Sequence, residues 1–280
     1  MFRPLRWSAR RLAAAVPTRS KNPTGRSIAA RVRPLKSLNL PKVHLLQPQS
    51  LRKMTAELAV ESDYEIVKTT DKDADAVLDF MLQDFLHSEP LNASVKLEAD
   101  EARPFFREIV DAGLSCPVNY MVRNKDGKIV ALRWATIVRR NDAENDYVFE
   151  SNAESPKVRE MQRLLSFVES KVTTKLPIWQ LVPPDVNTLF SWLVLSVHES
   201  FTRRGLGKKL LEYKPDEIRA LGCDGFVTAA SAFNSQQLFT KLGYEEIYAL
   251  KLADWKDDKN EQIFRCLDRT DKITLLLKRL

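Results

Sequence analysis

The stretch LSVHESFTRRGLGKKLLEY, residues 195–213, decides the fold class because it joins a buried strand to a helix through a short glycine-containing turn. The run SWLVLSV at residues 191–197 is nearly all apolar, which is typical of a strand covered on both faces. Gly205 and Gly207, two of only eight glycines in the chain, follow it. The pattern therefore predicts a buried strand, a turn and a helix that begins near Gly207.

This turn has the composition of a phosphate-binding site. The first turn of a helix leaves backbone N–H groups unpaired at its positive end, and glycine lets a ligand approach the backbone closely. The predicted diphosphate site consists of Arg203, Arg204, Gly205, Leu206, Gly207, Lys208 and Lys209. Its spacing matches neither a Walker A loop nor a GxGxxG motif. The alternative is that the two glycines form only a tight turn, with solvated basic side chains around it.

Apolar periodicity along the rest of the chain predicts alternating strands and helices. Strands are predicted at YEIVKTT, VNYMVRN, KIVALRWATIVRR and GFVTAAS, and near residues 246–252 and 273–279. Helices are predicted near residues 76–85, 100–112, 155–174 and 234–242, in addition to the one after Gly207. Asp126 and Gly127 predict a hairpin between two of the strands. This order predicts an α/β fold with one mixed sheet of about six to seven strands flanked by helices.

The positive charge of the chain is confined to its beginning. The net charge is +7, yet residues 1–56 carry nine Arg, four Lys and no acidic residue. The remaining 31 basic and 37 acidic residues give residues 57–280 a net charge of −6. An acidic domain argues against nucleic acid as a partner, although the alternative remains that the basic segment is an arm that contacts RNA.

Residues 1–56 are predicted to be a leader, and residues 57–280 a single domain. The opening MFRPLRWSARRLAAAVPTRS combines Arg with apolar residues, as mitochondrial transit peptides do. Proline is scattered from Pro17 to Pro48 without sustained periodicity, which is typical of a linker. The alternatives are a basic tail or initiation at Met54. We expect mitochondrial localisation if the leader targets the protein and cytoplasmic localisation otherwise.

Neither a metal site nor a membrane span is predicted. Cys116, Cys223 and Cys266 are far apart and form no CxxC or Cys/His cluster. No apolar run approaches the roughly 18 residues that a membrane-spanning helix requires. We therefore expect a soluble protein in a reducing compartment, without a metal cofactor and without membrane insertion.

The segment at residues 195–213 resembles the part of GNAT acetyltransferases in which the fourth strand runs into the pyrophosphate loop, Arg/Gln-x-x-Gly-x-Gly/Ala. Gly205 and Gly207 match its last two fixed positions, whereas Thr202 stands where Arg or Gln is usual. Pro215 is expected to kink the helix that follows. The resemblance covers about residues 64–280, and it implies the GNAT acyl-CoA N-acyltransferase fold with acetyl-CoA as the cosubstrate.

The same resemblance assigns further residues to the coenzyme. It implies that the strand edge at Leu195, Ser196 and Val197 hydrogen-bonds the pantetheine arm. The backbone N–H of Val197 would then lie near the acetyl carbonyl and serve as an oxyanion donor. Many GNATs carry a catalytic Tyr on the fourth helix, but the matching position here is Phe239. The acid must therefore come from elsewhere.

A narrower resemblance indicates the acid and the base. FLHSEPLN, residues 85–92, resembles the Asp-Glu-Pro-Leu-Asn signature of arylalkylamine N-acetyltransferases. It implies that Glu89 is the general base and reaches the amine through water. It also implies that Ser235 helps to protonate the thiolate, with Ser231 as a second choice. The alternatives are that Glu89 only precedes Pro90 in an exposed turn and that Ser235 is a helix cap.

These resemblances imply an enzyme that moves an acetyl group from acetyl-CoA to a primary amine by direct transfer, with a small arylalkylamine as the expected partner. A second hypothesis keeps the fold but takes a protein, peptide or amino-acid amine as the acceptor, because a fold does not determine its substrate. A third is a non-catalytic module that binds coenzyme A, which Thr202, Pro215 and Phe239 favour.

Overall fold

The strands in the described part of this chain form one seven-stranded mixed sheet in the order β1-β2-β3-β4-β5-β7-β6. The computed structural model describes residues 64–140, 153–169 and 178–280. The strands are β1 (Tyr64–Lys68), β2 (Tyr120–Asn124), β3 (Ile129–Arg139), β4 (Thr188–Val197), β5 (Gly225–Ala230), β6 (Glu245–Lys251) and β7 (Lys272–Arg279). Only β4 and β5 pair in parallel, and the other neighbours pair antiparallel. The predicted mixed α/β sheet is confirmed.

Helices connect the strands and cover both faces of the sheet. They are α1 (Ala74–Phe80), α2 (Leu86–Ser88), α3 (Pro90–Ser94), α4 (Ala99–Leu114), α5 (Pro156–Glu169), α6 (Ile178–Leu181), α7 (Leu206–Leu211), α8 (Pro215–Ala220) and α9 (Phe233–Lys241). A π-helical turn, Met81–Phe85, joins α1 to α2. Short 3₁₀ helices lie at Asp71–Asp73, Glu199–Phe201 and Leu252–Asp254. None of these helices in the described ranges is long and apolar enough to cross a membrane.

Two apolar layers hold the helices to the sheet. On one face, side chains of α1, α4 and α5 such as Val77, Phe106 and Met161 pack in one buried cluster. On the other face, side chains of α7 and α9 such as Leu210 and Phe239 pack in a second cluster. Burial of apolar area on both faces explains why the central strands read as nearly continuous apolar runs.

The ladder between β4 and β5 is short, and this creates the main opening in the sheet. Their pairing covers only Leu189–Ser191 against Gly225–Val227. Just beyond it, β4 carries one extra residue, Leu193, because Trp134 of β3 pairs with Val194 whereas Ala135 pairs with Trp192. Such a bulge bends a strand and increases its twist. The second half of β4 therefore separates from β5.

The prediction that Pro215 kinks the helix after Gly207 was wrong. Helix α7 ends at Leu211, and Pro215 is the first residue of the separate helix α8. Proline is well tolerated there because its missing N–H would have no helical acceptor.

The helix predicted at residues 155–174 is found at Pro156–Glu169, while its last predicted residues and the whole leader lie outside the described residues.

Candidate active site

A cleft of about 680 Å³ lies where β4 and β5 separate, and it is called the main cleft below. One wall is β4 from Trp192 to Val197, and the other is Thr228–Ala230 of β5 together with α9. The glycine turn, residues 205–207, lines one part of the cleft, and residues 88–90, which include Glu89, line another. The predicted site residues that line it are Glu89, Leu195, Ser196, Val197, Arg203, Gly205, Leu206, Gly207, Lys208, Ser231 and Ser235.

Two of the predicted phosphate ligands, Arg204 and Lys209, do not line this cleft. The guanidinium of Arg204 donates to the Ser200 carbonyl at 2.9 Å and lies over the ring of Phe201. The ammonium of Lys209 lies 5.4 Å from the centre of the Tyr64 ring. Both side chains therefore pack on aromatic rings and do not line the cleft, whereas Arg203 and Lys208 line it and bring positive charge to it.

The glycine turn has the backbone conformation that a tight strand-to-helix turn needs. Gly205, the N-cap of α7, has φ +79°, in the left-handed region that favours glycine. The first helical hydrogen bond runs from the Lys209 N–H to the Gly205 carbonyl at 2.9 Å. The N–H groups of Leu206, Gly207 and Lys208 precede this bond and have no acceptor within the helix. A Cβ on Gly207 would lie 3.4 Å from Leu238, another residue lining the cleft.

The edge of β4 presents its backbone to the main cleft. The His198 N–H donates to the Val130 carbonyl of β3 at 2.9 Å. Because the backbone groups of an antiparallel strand alternate in direction, Ser196 also faces β3, whereas Leu195 and Val197 face the gap. The Ser196 hydroxyl donates to Asp84 at 3.3 Å, which ties β4 to the π-helical turn. The side chain of Ser196 is thus engaged by the protein, while the backbone of Val197 is turned towards the cleft.

Arg133, which the sequence analysis missed, binds the C-terminal end of the helix that follows the glycine turn. It is fully buried in β3, and it donates to the carbonyls of Leu210 and Tyr213 at the end of α7, at 3.0 and 2.7 Å. Burial lowers its pKa to about 10, so the side chain stays charged at neutral pH. A cation at the C-terminus of a helix opposes the helix dipole. A basic residue inside the apolar run IVALRWATIV was the signal that could have identified it.

The structure places Glu89 at the N-cap of α3, directly before Pro90. Its Oε2 accepts a hydrogen bond from the Asn92 N–H at 2.7 Å. Its Oε1 is buried and has no hydrogen-bond partner among the described residues. Burial raises the pKa of Glu89, an effect opposed by the Asn92 N–H and by the nearby Ser231 hydroxyl. This is the direction expected for a general base that works near neutral pH.

A second, smaller cavity of about 80 Å³ opens beside Glu89 and is called the inner cavity below. Its wall is mostly apolar and contains several aromatic rings. It is lined by Phe85, Glu89, Leu91, Asn92, Phe105, Phe106, Ile109, Met161, Leu165, Trp192, Leu193, Ala229 and Ser231. Glu89 and Ser231 line both this cavity and the main cleft. The carboxylate therefore lies at the junction of the two spaces.

The two predicted serines lie at the end of β5 and at the start of α9. Ser231 follows β5 directly, and Ser235 is the third residue of α9. The N-cap of α9 is Ala232, so the alternative reading of Ser235 as the helix cap does not hold. The first N–H of α9, that of Phe233, donates instead to the Thr270 hydroxyl at 2.9 Å. Ser235 is thus not needed as the N-cap of this helix.

Comparison with known proteins agrees with this architecture. The family model described as FR47-like protein matches residues 168–252. Arylalkylamine N-acetyltransferase 2 from Aedes aegypti is 24% identical with a TM-score of 0.64, over 77% of this chain and 98% of that chain. Mosquito arylalkylamine N-acetyltransferase like 5b is 19% identical with a TM-score of 0.63, over 78% of this chain and 100% of that chain.

A third similar structure is a polyamine N-acetyltransferase from Drosophila melanogaster that catalyses the formation of N-acetylagmatine. It is 21% identical with a TM-score of 0.63, over 78% of this chain and 100% of that chain. The order of strands, the separation of β4 from β5 and the glycine turn are all present in the described part of this chain. The chain therefore has the fold of the GNAT acetyltransferases.

Proposed function

We propose that this protein transfers the acetyl group of acetyl-CoA directly to the primary amine of a small arylalkylamine, with Glu89 as the general base. The observation that supports this most strongly is the position of Glu89, which lines both the main cleft and the inner cavity. A general base must lie within reach of the amine at the place where the amine meets the thioester. The junction of the two cavities meets this requirement.

The main cleft fits acetyl-CoA. The unpaired N–H groups at the start of α7, with Arg203 and Lys208 beside them, suit a diphosphate. The backbone of Leu195 and Val197 faces the gap and can hydrogen-bond the pantetheine amides as a neighbouring strand would. The thioester would then lie between β4 and β5, near Glu89 and Ser231.

The reaction follows from these positions. The acceptor amine enters as an ammonium ion, and Glu89 takes its proton directly or through water, so that the nitrogen lone pair is free to attack the thioester carbonyl carbon. The Val197 N–H stabilises the negative charge that develops on the carbonyl oxygen. The carbon–sulfur bond then breaks as the attacking nitrogen gives up its second proton. Ser235, or in second place Ser231, relays a proton to the thiolate of coenzyme A directly or through water and regains one in exchange, while the proton on Glu89 passes to solvent.

The inner cavity favours an aryl acceptor. Its wall includes the rings of Phe85, Phe105 and Phe106, which provide apolar and aromatic contact. Among the described residues that line it, Glu89 is the only charged one. A polyamine would leave its additional cations without a partner there, and burying an unpaired charge is unfavourable. A monoamine with an aromatic group is therefore the better match.

Incubation of the full chain with acetyl-CoA and a panel of amines tests this proposal. The panel contains an arylalkylamine, agmatine and a peptide with a free N-terminus, and the readouts are release of free coenzyme A and the mass of the product. We expect acetylation of the arylalkylamine first, and its loss in Glu89→Gln. If only the peptide were acetylated, the acceptor would be a peptide or protein amine and not a small arylalkylamine.

Binding of acetyl-CoA without turnover of any amine would instead identify a non-catalytic module. Phe239 favours that alternative, because it is buried against Tyr244, with ring centres 4.9 Å apart, and supplies no hydroxyl where many GNATs carry a catalytic tyrosine. Calorimetry with acetyl-CoA separates this outcome from a misfolded preparation.

A further inference from the structure

Asn92 carries a hydrogen-bonding group that the protein does not use. The residue is 4% exposed and lines the inner cavity. Its backbone is fully engaged, since its N–H donates to Glu89 and its carbonyl accepts from the Leu97 N–H at 3.0 Å. Its side-chain Nδ2 is buried and has no partner among the described residues. A buried donor without an acceptor is unfavourable, so such a group in a cavity wall is suited to a ligand.

A second unpaired atom lies on the same short helix. Oε1 of Glu89, the N-cap residue of α3, is also buried without a partner among the described residues, and Glu89 lines the same cavity. Asn92 follows three residues later, and the bond from its N–H to Oε2 keeps the two residues together. The polar end of the inner cavity thus offers one acceptor, from Glu89, and one donor, from Asn92.

The chemistry of an amine matches only one of these two atoms. An ammonium group has three donors and no acceptor, so it can pair with Oε1 of Glu89 but not with Nδ2 of Asn92. Nδ2 requires an atom with a lone pair, such as a hydroxyl oxygen. Because Glu89 and Asn92 lie three residues apart at the start of α3, an oxygen that pairs with Asn92 would be close to the amino group along the acceptor.

We propose that Asn92 is a specificity-determining residue that selects acceptors with a hydroxyl group next to the carbon bearing the amine. This rests on the proposed function and narrows its substrate class to β-hydroxylated arylalkylamines. The ammonium pairs with Glu89, the hydroxyl oxygen accepts from Asn92, and the aromatic group packs against the phenylalanine rings of the inner cavity. The deoxy parent amine would leave Nδ2 unpaired after the cavity is filled.

The test compares 2-phenylethylamine with 2-amino-1-phenylethanol, which differ only in this hydroxyl group. With the full chain and saturating acetyl-CoA, we expect kcat/KM to be about tenfold higher for the hydroxylated amine, the contribution of roughly one hydrogen bond. In Asn92→Leu, which has a similar size and no donor, the ratio should fall to about one through loss of activity on the hydroxylated amine. One enantiomer of that amine should account for most of the preference.

Asn234→Leu is the matched control, since Asn234 lines the main cleft but not the inner cavity. It is expected to leave the ratio between the two amines unchanged. Thermal unfolding and the heat of acetyl-CoA binding establish that each variant is folded. A ratio near one in the wild type, or an unchanged ratio in Asn92→Leu, would overturn the inference while leaving the acetyltransferase function intact. Failure of every amine in the panel would overturn both.

Discussion

At the scale of single residues, the two carboxylate oxygens of Glu89 have different tasks. Oε2 holds the start of α3 through the Asn92 N–H, and Oε1 is left unpaired at the junction of the two cavities. The capping bond explains why the signature segment turns sharply at Pro90. Burial of the second oxygen keeps the carboxylate poorly solvated and therefore basic. One side chain thus links local helix structure to the proposed chemistry.

Glu89→Gln separates these two tasks, because an amide oxygen can still accept the capping hydrogen bond but the side chain cannot take a proton. We expect kcat to fall by about 10²–10⁴-fold with little change in acetyl-CoA binding.

In the wild type, kcat/KM should decline on the acid side with a midpoint above the ordinary carboxyl pKa of 4.5, because burial raises the pKa of Glu89. Persistence of this acid limb in the variant would contradict the assignment.

The same substitution has a consequence for stability. Since the pKa of Glu89 is raised on folding, the folded state binds its proton more tightly than the unfolded state does. Stability from this group is therefore greatest below pH 4.5 and declines as the pH rises through the folded-state pKa. Glu89→Gln should accordingly have a higher Tm than the wild type near pH 7.5, and the difference should shrink towards pH 4.5.

At the scale of elements, the coenzyme site depends on one strand, one turn and one helix. The bulge at Leu193 separates β4 from β5 and exposes a strand edge. Gly205 reverses the chain with a positive φ, and Arg133 holds the far end of α7 from inside the sheet. Helix α7 is only 6 residues long, so contacts at both of its ends are needed to position the N–H groups at its start.

Substitution by alanine should lower the stability of the fold at Gly205 and raise it at Gly207, whereas a larger side chain at Gly207 should weaken acetyl-CoA binding. Gly205→Ala places a side chain at φ +79° with no atom within 4 Å, so strain of about 1–2 kcal/mol is the expected result. Gly207→Ala removes a helical glycine and should stabilise the fold by up to about 1 kcal/mol, with acetyl-CoA binding kept. Gly207→Val should weaken acetyl-CoA binding at least about tenfold, since its methyl groups extend towards Val197 and Leu238.

Thermal unfolding and calorimetry of the three glycine variants distinguish these effects. If Gly207→Val bound acetyl-CoA as tightly as Gly207→Ala, the turn would not face the coenzyme. Equal losses of stability at both positions would contradict the role given to the positive φ of Gly205.

At the scale of the whole molecule, charge divides the chain into two parts. Residues 1–56 carry all of the excess positive charge, and residues 57–280 have a net charge of −6. An acidic catalytic domain would attract cationic amines, whereas a basic and apolar leader suits the import machinery of mitochondria. We propose that residues 1–56 direct the protein to mitochondria and that the domain acts there.

Fusion of residues 1–56 to a fluorescent protein tests this localisation in cells. We expect mitochondrial fluorescence and a shortened product after cleavage. Replacement of Arg3, Arg6, Arg10 and Arg11 by Ser in a matched fusion should leave the fluorescence in the cytosol, because transit peptides depend on positive charge. Cytosolic fluorescence from the unmodified fusion would favour the basic-tail alternative or initiation at Met54.

The sequence by itself determined the features that depend on neighbours along the chain. A continuous apolar run followed by Gly205 and Gly207 was enough to predict the buried strand and the turn, because backbone conformation there is a local property. The hairpin at Asp126 and Gly127 was predicted for the same reason, and Gly127 has φ +75°.

Only the tertiary structure decided which of these features meet. The junction at Glu89 needs Ser231, which follows β5, and Trp192 from β4, and the inner cavity needs Phe106 from α4 and Met161 from α5. The same is true of Arg133, whose acceptors lie at the far end of α7. These contacts join segments far apart in the chain, and packing of both faces of the sheet, not any local preference, brings them together.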